Sequence, residues 1–160
     1  MSGKQSDNSE SKWIYKGKAL RCPVKGAFGF IYCISHNDSD LFYVGKKQFY
    51  STRRVKVAGR KNRKKVVKES NWRIYQSSSQ TVQKMIAEAG ENAFSYDVLA
   101  IAYTPGELSF LEEKAQHVSC AYLRDNCLVD SIGQRRFVSL KKNNRLLNSA
   151  KSIILWANGI

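Results

Sequence analysis

The chain predicts a small α/β (α+β) domain, and three observations carry that prediction. Two runs rich in aromatic and β-branched residues, Phe28 to Ile34 and Leu41 to Val44, face each other across a polar turn, Ser35 to Asp40, the pattern of an antiparallel hairpin. A third run, Ala93 to Tyr103, alternates and then becomes fully apolar, as a central strand does. Two amphipathic stretches with helix-start signals flank that third run.

Taken in order, residues 1–12 are polar with no hydrophobic anchor and read as a flexible tail, leaving 13–160 as one domain. Trp13 to Tyr15 and Ala19 to Val24 suit a short leading strand or an irregular packing segment. The second hairpin strand is expected to run on through Lys46 to Ser51. It then meets a basic insertion, 53–68, where Val55 and Val57, then Val66 and Val67, flank Ala58 and Gly59; a protruding charged hairpin or loop fits this pattern. Ser77 and Gln80 have capping-box spacing, Val82, Met85, Ile86 and Ala89 recur at helical intervals, and Gly90 suits the C′ position. After the central strand, Thr104 can cap a second helix, with Pro105 in its first turn and Glu107 closing a second capping box. The remainder holds short apolar pieces among basic residues, with a final short helix expected over Arg145 to Trp156.

Charge narrows the partners. There are 27 Lys and Arg against 13 Asp and Glu, a formal +14, which favours nucleic-acid phosphates first and anionic membranes second. No apolar run approaches the roughly 20 residues that a membrane span needs, and the start has no apolar signal core. A soluble cytoplasmic protein is expected, with no membrane partner. Cys22, Cys33, Cys120 and Cys127 form no C-x-x-C pair and read as reduced thiols packed like small hydrophobes. His117, Cys120 and Cys127 have spacing for three zinc ligands, but no fourth donor presents itself.

The second helix separates two adjacent glutamates. Leu108, Leu111, Ala115, Val118 and Tyr122 make its apolar stripe, and at about 100° per residue Glu113 points away from it toward solvent. Glu112 lies about 80° from the stripe centre, at the margin between core and solvent. A carboxylate there suits either a hard divalent ion or pairing with a lysine. Tyr32 and Tyr43, on neighbouring strands, are by composition ordinary core aromatics with hydroxyls at the rim.

Order and spacing add a resemblance. Phe30-Ile31-Tyr32, ten intervening residues, then Tyr43-Val44-Gly45, followed by a helix, a strand and a helix bearing a glutamate, resembles the GIY-YIG nuclease superfamily. The segments ESNWRIYQSS, FSYDVLAIAY and GELSFLEEKAQ look like those of its small stand-alone bacteriophage members, related to homing endonucleases, and the likeness runs from Phe28 to Ile132. It implies a small central antiparallel sheet flanked by helices and Mg²⁺- or Mn²⁺-dependent endonucleolytic hydrolysis of DNA, here in the cytoplasm of a host bacterium. Carried over by residue, Tyr32 is the first motif tyrosine, a general base or water positioner, Tyr43 is the second, and Glu112 is the metal-binding glutamate, in agreement with the helical phase. Lowering a tyrosine pKa by two to three units would take roughly 3–4 kcal/mol from nearby cations. Strand alternation puts one of Lys46 and Lys47 on the tyrosine face, and Lys46 is favoured on the family's pattern. Among Arg53, Arg54 and Arg73, Arg73 is the first choice for the phosphate-contacting arginine.

Two departures stand out: Phe30 replaces the usual glycine of the first motif, and Asp130, with Asn126 nearby, stands where many members have asparagine. The basic insertion holds nine cationic residues, Arg53, Arg54, Lys56, Arg60, Lys61, Arg63, Lys64, Lys65 and Lys68; together with Lys47 and with Arg135 and Arg136 of a basic C-terminal extension it is expected to hold DNA phosphates without reading sequence. No separate helix-turn-helix or zinc-finger module is recognisable, so the domain reads DNA itself, dimerises, or cuts with little preference. The alternative is a non-catalytic basic DNA- or RNA-binding protein that retains the fold.

Overall fold

The computed structural model describes residues 11–59, 61–121, 124–129 and 144–159. Within them the chain runs β1 (Ile14–Tyr15), β2 (Lys18–Ala19), β3 (Gly29–His36), β4 (Phe42–Gln48), β5 (Tyr50–Val55), β6 (Lys64–Glu69), α1 (Gln80–Ala89), β7 (Phe94–Ala102), α2 (Pro105–Val118) and α3 (Asn144–Ala157). Five strands form the main sheet in the order β2-β1-β7-β3-β4, and β5 and β6 form a separate two-stranded sheet. The β7-β3-β4 centre is antiparallel as expected, while β1 joins β7 in parallel. The leading segment is thus a strand pair, turned by Lys16 and Gly17 at φ 50° and 73°, as a type I′ turn requires.

The sheet divides two cores. Phe30, Tyr32 and Ile34 alternate onto one face, where Trp13, Phe49, Trp72 and the Val82 and Ile86 stripe of α1 cover them. Ile31 and Cys33 point to the other face, against Leu108, Leu111 and Ala115 of α2 and Leu146, Ala150 and Ile153 of α3. A register shift between Ile31 and Tyr32 lets Val98 and Ile101 of β7 both face the aromatic core, with Leu99 and Ala100 together on the helical side. Each fully buried aromatic contributes roughly 1.5–3 kcal/mol of transfer free energy, so the aromatic face dominates the packing. Trp13 stands at its centre, its indole Nε1 donating to the Trp72 carbonyl at 2.7 Å.

The second hairpin strand does not run straight on. Phe49, fully buried, lies between β4 and β5, its N–H bonded to the Phe28 carbonyl at 3.0 Å, and the chain leaves the main sheet there. The basic insertion then forms the exposed β5–β6 ribbon, clamped at its base by Ser70, which donates from its N–H to the Phe49 carbonyl at 2.8 Å and from Oγ to the Gln48 carbonyl at 2.5 Å.

The helix starts show which local signals prevailed. Helix α1 is capped by Ser79, whose Oγ accepts from Val82 N, rather than by a Ser77–Gln80 box; buried Ser77 instead accepts from the Ser79 N–H at 3.0 Å and stiffens the preceding turn. Thr104 caps α2 as expected, accepting from Glu107 N at 3.1 Å, and Glu107 reaches back to accept from Tyr103 N at 2.8 Å. Buried Glu107 also pairs with Arg145 of α3 at 2.6 Å, so the α2 face carries a charge that its apolar stripe does not suggest. Glu113 is half-buried rather than solvent-facing. Cys22 and Cys120 are exposed, contrary to the packed role expected of all four thiols. Of the residues assigned to the tail, Ser11 is buried and Lys12 pairs with Glu91 at 2.9 Å; the rest lie outside the described residues. Among the described residues, no helix is long and apolar enough to cross a membrane.

Candidate active site

The β3–β4 register brings the two motif tyrosines together. Tyr32 lies opposite Gly45 and Tyr43 opposite Ile34, so both rings rise from one face, their centroids 6.1 Å apart. Gly45 leaves the space they need: a Cβ there would sit 2.6 Å from Tyr32 Oη and 2.8 Å from Tyr43 Cε1. Tyr75, from the segment before α1, closes the cluster with its ring 6.0 Å from that of Tyr32 and nearly perpendicular. Trp13 supports Tyr32 from below at 4.9 Å.

Tyr32 is fully buried, and its hydroxyl has no hydrogen-bond partner among the described residues. The side chains of Tyr75 and Ser77 lie close enough to bear on its ionisation without closing a well-formed bond. Burial, reinforced by the neighbouring phenols, pushes its pKa well above the ordinary tyrosine value. This is opposite to the lowering expected from nearby cations: desolvation among packed rings is the largest influence on this phenol, and the neighbouring tyrosines add to it. Tyr43 is half-buried, its Oη 3.3 Å from Ser78 Oγ, and its pKa is raised chiefly by burial, with the Glu112 charge adding to the shift.

Strand alternation settles which lysine joins the tyrosines. Lys47 is four residues from Tyr43 and shares its face; Lys46 pairs across to Ile31 and belongs to the opposite face, which corrects the preference for Lys46. On that face Lys46 Nζ lies 2.6 Å from Glu112 Oε2 and 3.4 Å from Ser109 Oγ, both on α2. Glu112 is half-buried at the sheet margin as its helical phase implies, and the lysine pairing is realised. Lys47 Nζ is 3.8 Å from the Tyr75 ring centroid and donates to Asn71 Oδ1 at 2.7 Å; burial lowers its pKa.

Strand β4 is the edge of the sheet, so Lys46 and Lys47 lie at that edge and Tyr43 beside them, with Tyr32 buried behind on β3. Residues 126–128 pair with the edge at Phe42, leaving the Gly45–Gln48 end for the site. Arg73 is not in this cluster: it pairs with Glu69, stacks over Trp72 at 4.6 Å and donates to the Arg21 carbonyl at 3.4 Å. Arg53, Arg54, Lys64 and Lys65 are exposed on the ribbon, and Lys61 and Arg63 are exposed beside its tip. Arg60, Arg135, Arg136 and Asp130 lie outside the described residues. Tyr75 carries no role in the sequence reading and Ser77 only that of a helix cap, although both lie in the segment ESNWRIYQSS. No group of three or more His, Cys, Asp or Glu side chains that could hold a metal ion occurs among the described residues.

Comparison with known proteins adds one finding. The family model described as "Putative endonuclease segE, GIY-YIG domain" matches residues 13–131. No curated protein and no solved structure gives a match. The matched span begins at Trp13, upstream of both tyrosine motifs, at the residue that packs beneath Tyr32. The chain therefore belongs to the GIY-YIG nuclease superfamily, in its segE group, and its function is of the nuclease type.

Proposed function

We propose that the protein is a metal-dependent endonuclease that hydrolyses phosphodiester bonds in DNA, with Tyr32, Tyr43 and Glu112 around the reacting phosphate. One observation carries this reading: a buried phenol without a partner and a half-buried carboxylate approach the same edge strand from its two faces. A phosphodiester is anionic and repels nucleophiles, so its hydrolysis needs an oriented water, positive charge around the phosphoryl oxygens and a stabilised leaving oxygen.

Tyr32 keeps its proton at neutral pH, which suits a group that donates to a phosphate oxygen or orients the attacking water more than one that removes a proton. Tyr43 and Ser78 add a second hydroxyl pair beside it. Lys47, whose ammonium is partly desolvated, supplies charge from the tyrosine face, and Lys46 from the other. The donor set fits Mg²⁺ or Mn²⁺: Mg²⁺ is usually held by one or two carboxylates, with waters and substrate phosphates completing the shell, and Glu112 offers one carboxylate already aligned on a cation, Lys46. Such an ion on Glu112 would supply charge at the phosphate and acidify bound water. The family resemblance further supports a phage-encoded enzyme acting in the host cytoplasm on host, competitor or mobile-element DNA, with a homodimer as one route to cutting both strands.

The test is plasmid cleavage with Mg²⁺ or Mn²⁺, and with chelator, by wild type, Glu112→Ala and Tyr32→Phe. Cutting by wild type alone, abolished by chelator, is expected. Equal cutting by all three proteins would sink the assigned site. Salt-dependent binding without cutting by any of them would leave a non-catalytic nucleic-acid-binding protein.

A further inference from the structure

The two faces of the β5–β6 ribbon differ in what lies opposite them. Cross-strand register puts the pairs Ser51–Lys68, Arg53–Val66 and Val55–Lys64 on one face, and Tyr50–Glu69, Thr52–Val67 and Arg54–Lys65 on the other. Both faces are basic, so charge alone does not choose between them. A groove of about 440 Å³ does: Arg53, Val55, Val66 and Lys68 of the first face line one side, and Lys47 and Asn71 of the domain body line the other.

This groove is cationic and leads to the tyrosines. Its one acidic wall residue, Glu69, accepts from Trp72 Nε1 at 2.7 Å and pairs with Arg73, so its charge is already answered. Arg53 and Lys68 make no ion pair among the described residues. Lys47, at the inner end, lies against Tyr75, whose ring meets Tyr32. Arg53 and Lys68 are diagonal neighbours across the ribbon, about 7–8 Å apart at the backbone, close enough for their long side chains to reach neighbouring phosphates of one DNA strand.

We infer that the inner ribbon face is the track for the sugar–phosphate backbone of duplex DNA on one side of the bond to be cut. Arg53, Lys68 and Lys47 take phosphates along it, and Val55 and Val66 lie against the deoxyriboses. This rests on the DNA-nuclease reading and adds to it a direction of approach: the strand enters along the ribbon and passes Lys47 toward the tyrosine cluster.

Two double variants separate the faces at equal loss of charge: Arg53→Ala with Lys68→Ala inside, and Arg54→Ala with Lys65→Ala outside. All four side chains are exposed, and melting curves matching wild type confirm that each variant folds. Affinity for a short duplex is measured against salt concentration with chelator present, and plasmid cleavage with metal is followed in parallel. The inner pair should lower the salt slope by about 1.8, two lost phosphate contacts at roughly 0.9 each, and the outer pair should leave it unchanged. Restoring charge as Arg53→Lys with Lys68→Arg should recover the slope. Equal losses from both pairs, or none from either, overturn the track, even if the wild type cuts DNA. Should the wild type bind with the inner-face signature and fail to cut, the track stands and the nuclease reading falls.

Discussion

Replacing Gly45 with alanine adds one methyl at the point where the two motif tyrosines meet. That Cβ would lie 2.6 Å from Tyr32 Oη, 2.7 Å from Tyr32 Cζ and 2.8 Å from Tyr43 Cε1, and ordinary contact begins near 3.4 Å, so the Tyr32 tip must retreat by about 0.8 Å. It has nowhere to go: Trp13 stands 4.9 Å away, Tyr75 6.0 Å and Phe30 6.2 Å, centroid to centroid, and Tyr32 is fully buried. Overpacking of this kind costs about 1–3 kcal/mol. At roughly 2–4 °C per kcal/mol for a domain of this size, the midpoint should fall by about 2–12 °C. With Tyr32 in the role proposed above, displacing it by nearly 1 Å should cost on the order of 100-fold in rate, a larger effect than the stability loss. Thermal melting and single-turnover cleavage measure the two effects, and Gly45→Ala with Tyr32→Phe tests their source. Because Tyr32 Cζ at 2.7 Å and Tyr43 Cε1 at 2.8 Å stay in place when only the hydroxyl is removed, the double variant should recover less than about 0.5 kcal/mol, the lower end of coupling between touching residues. A Gly45→Ala protein that melts within 1 °C of wild type and cuts at the same rate would refute the role of this glycine as the spacer of the site.

Three further outcomes follow from the same geometry. Tyr32→Phe removes a buried hydroxyl with no partner and should leave stability unchanged or raise it by about 1 kcal/mol in urea denaturation while cleavage is lost; destabilisation beyond 1 kcal/mol would mean that the hydroxyl is bonded. Glu107→Ala deletes the acceptor of Tyr103 N–H and the partner of Arg145 and should cost about 2 kcal/mol, whereas Arg145→Ala, which strands the buried carboxylate, should cost at least as much; equal melting of both with wild type contradicts the buried pair. Burial raises the Cys33 and Tyr96 pKa values to about 12, and Tyr32 and Tyr43 also upward, so the unfolded chain gives up these protons before the folded one does. Stability from these groups is therefore complete below about pH 9 and should fall as the pH rises from there to about 12, a decline that Tyr32→Phe should make shallower in equilibrium unfolding.

What could be read in the sequence was local. The tyrosine hairpin, β7 and the Thr104 cap of α2 follow from period-2 alternation and from side chains within four residues of each other. The marginal placement of Glu112 follows from helical phase. The face of Lys47 is equally legible, since an even separation from Tyr43 decides it. Other features depend on partners far along the chain. β1 and β2 are two residues each, too short for a periodic signal. Three consecutive serines, Ser77 to Ser79, can each cap α1, and tertiary packing decides among them. Glu107 is buried because Arg145 reaches it from 38 residues away. Tyr75 lies in an irregular turn, where neither period applies and only the fold shows that it faces Tyr32.

The independence of the β5–β6 sheet bears on how such a protein can diverge. The ribbon side chains of 51–55 and 64–68 contribute nothing to either buried cluster, and the joint to the body is made by Phe49, Glu69 and Ser70 at its base. Substitutions along the ribbon therefore carry little folding cost, so the strength of the proposed backbone contacts can drift quickly there while the tyrosine centre stays under tight packing constraint. The same separation offers a natural graft point, between Phe49 and Ser70, for exchanging the ribbon of one such domain for that of another and so testing its proposed role in DNA approach.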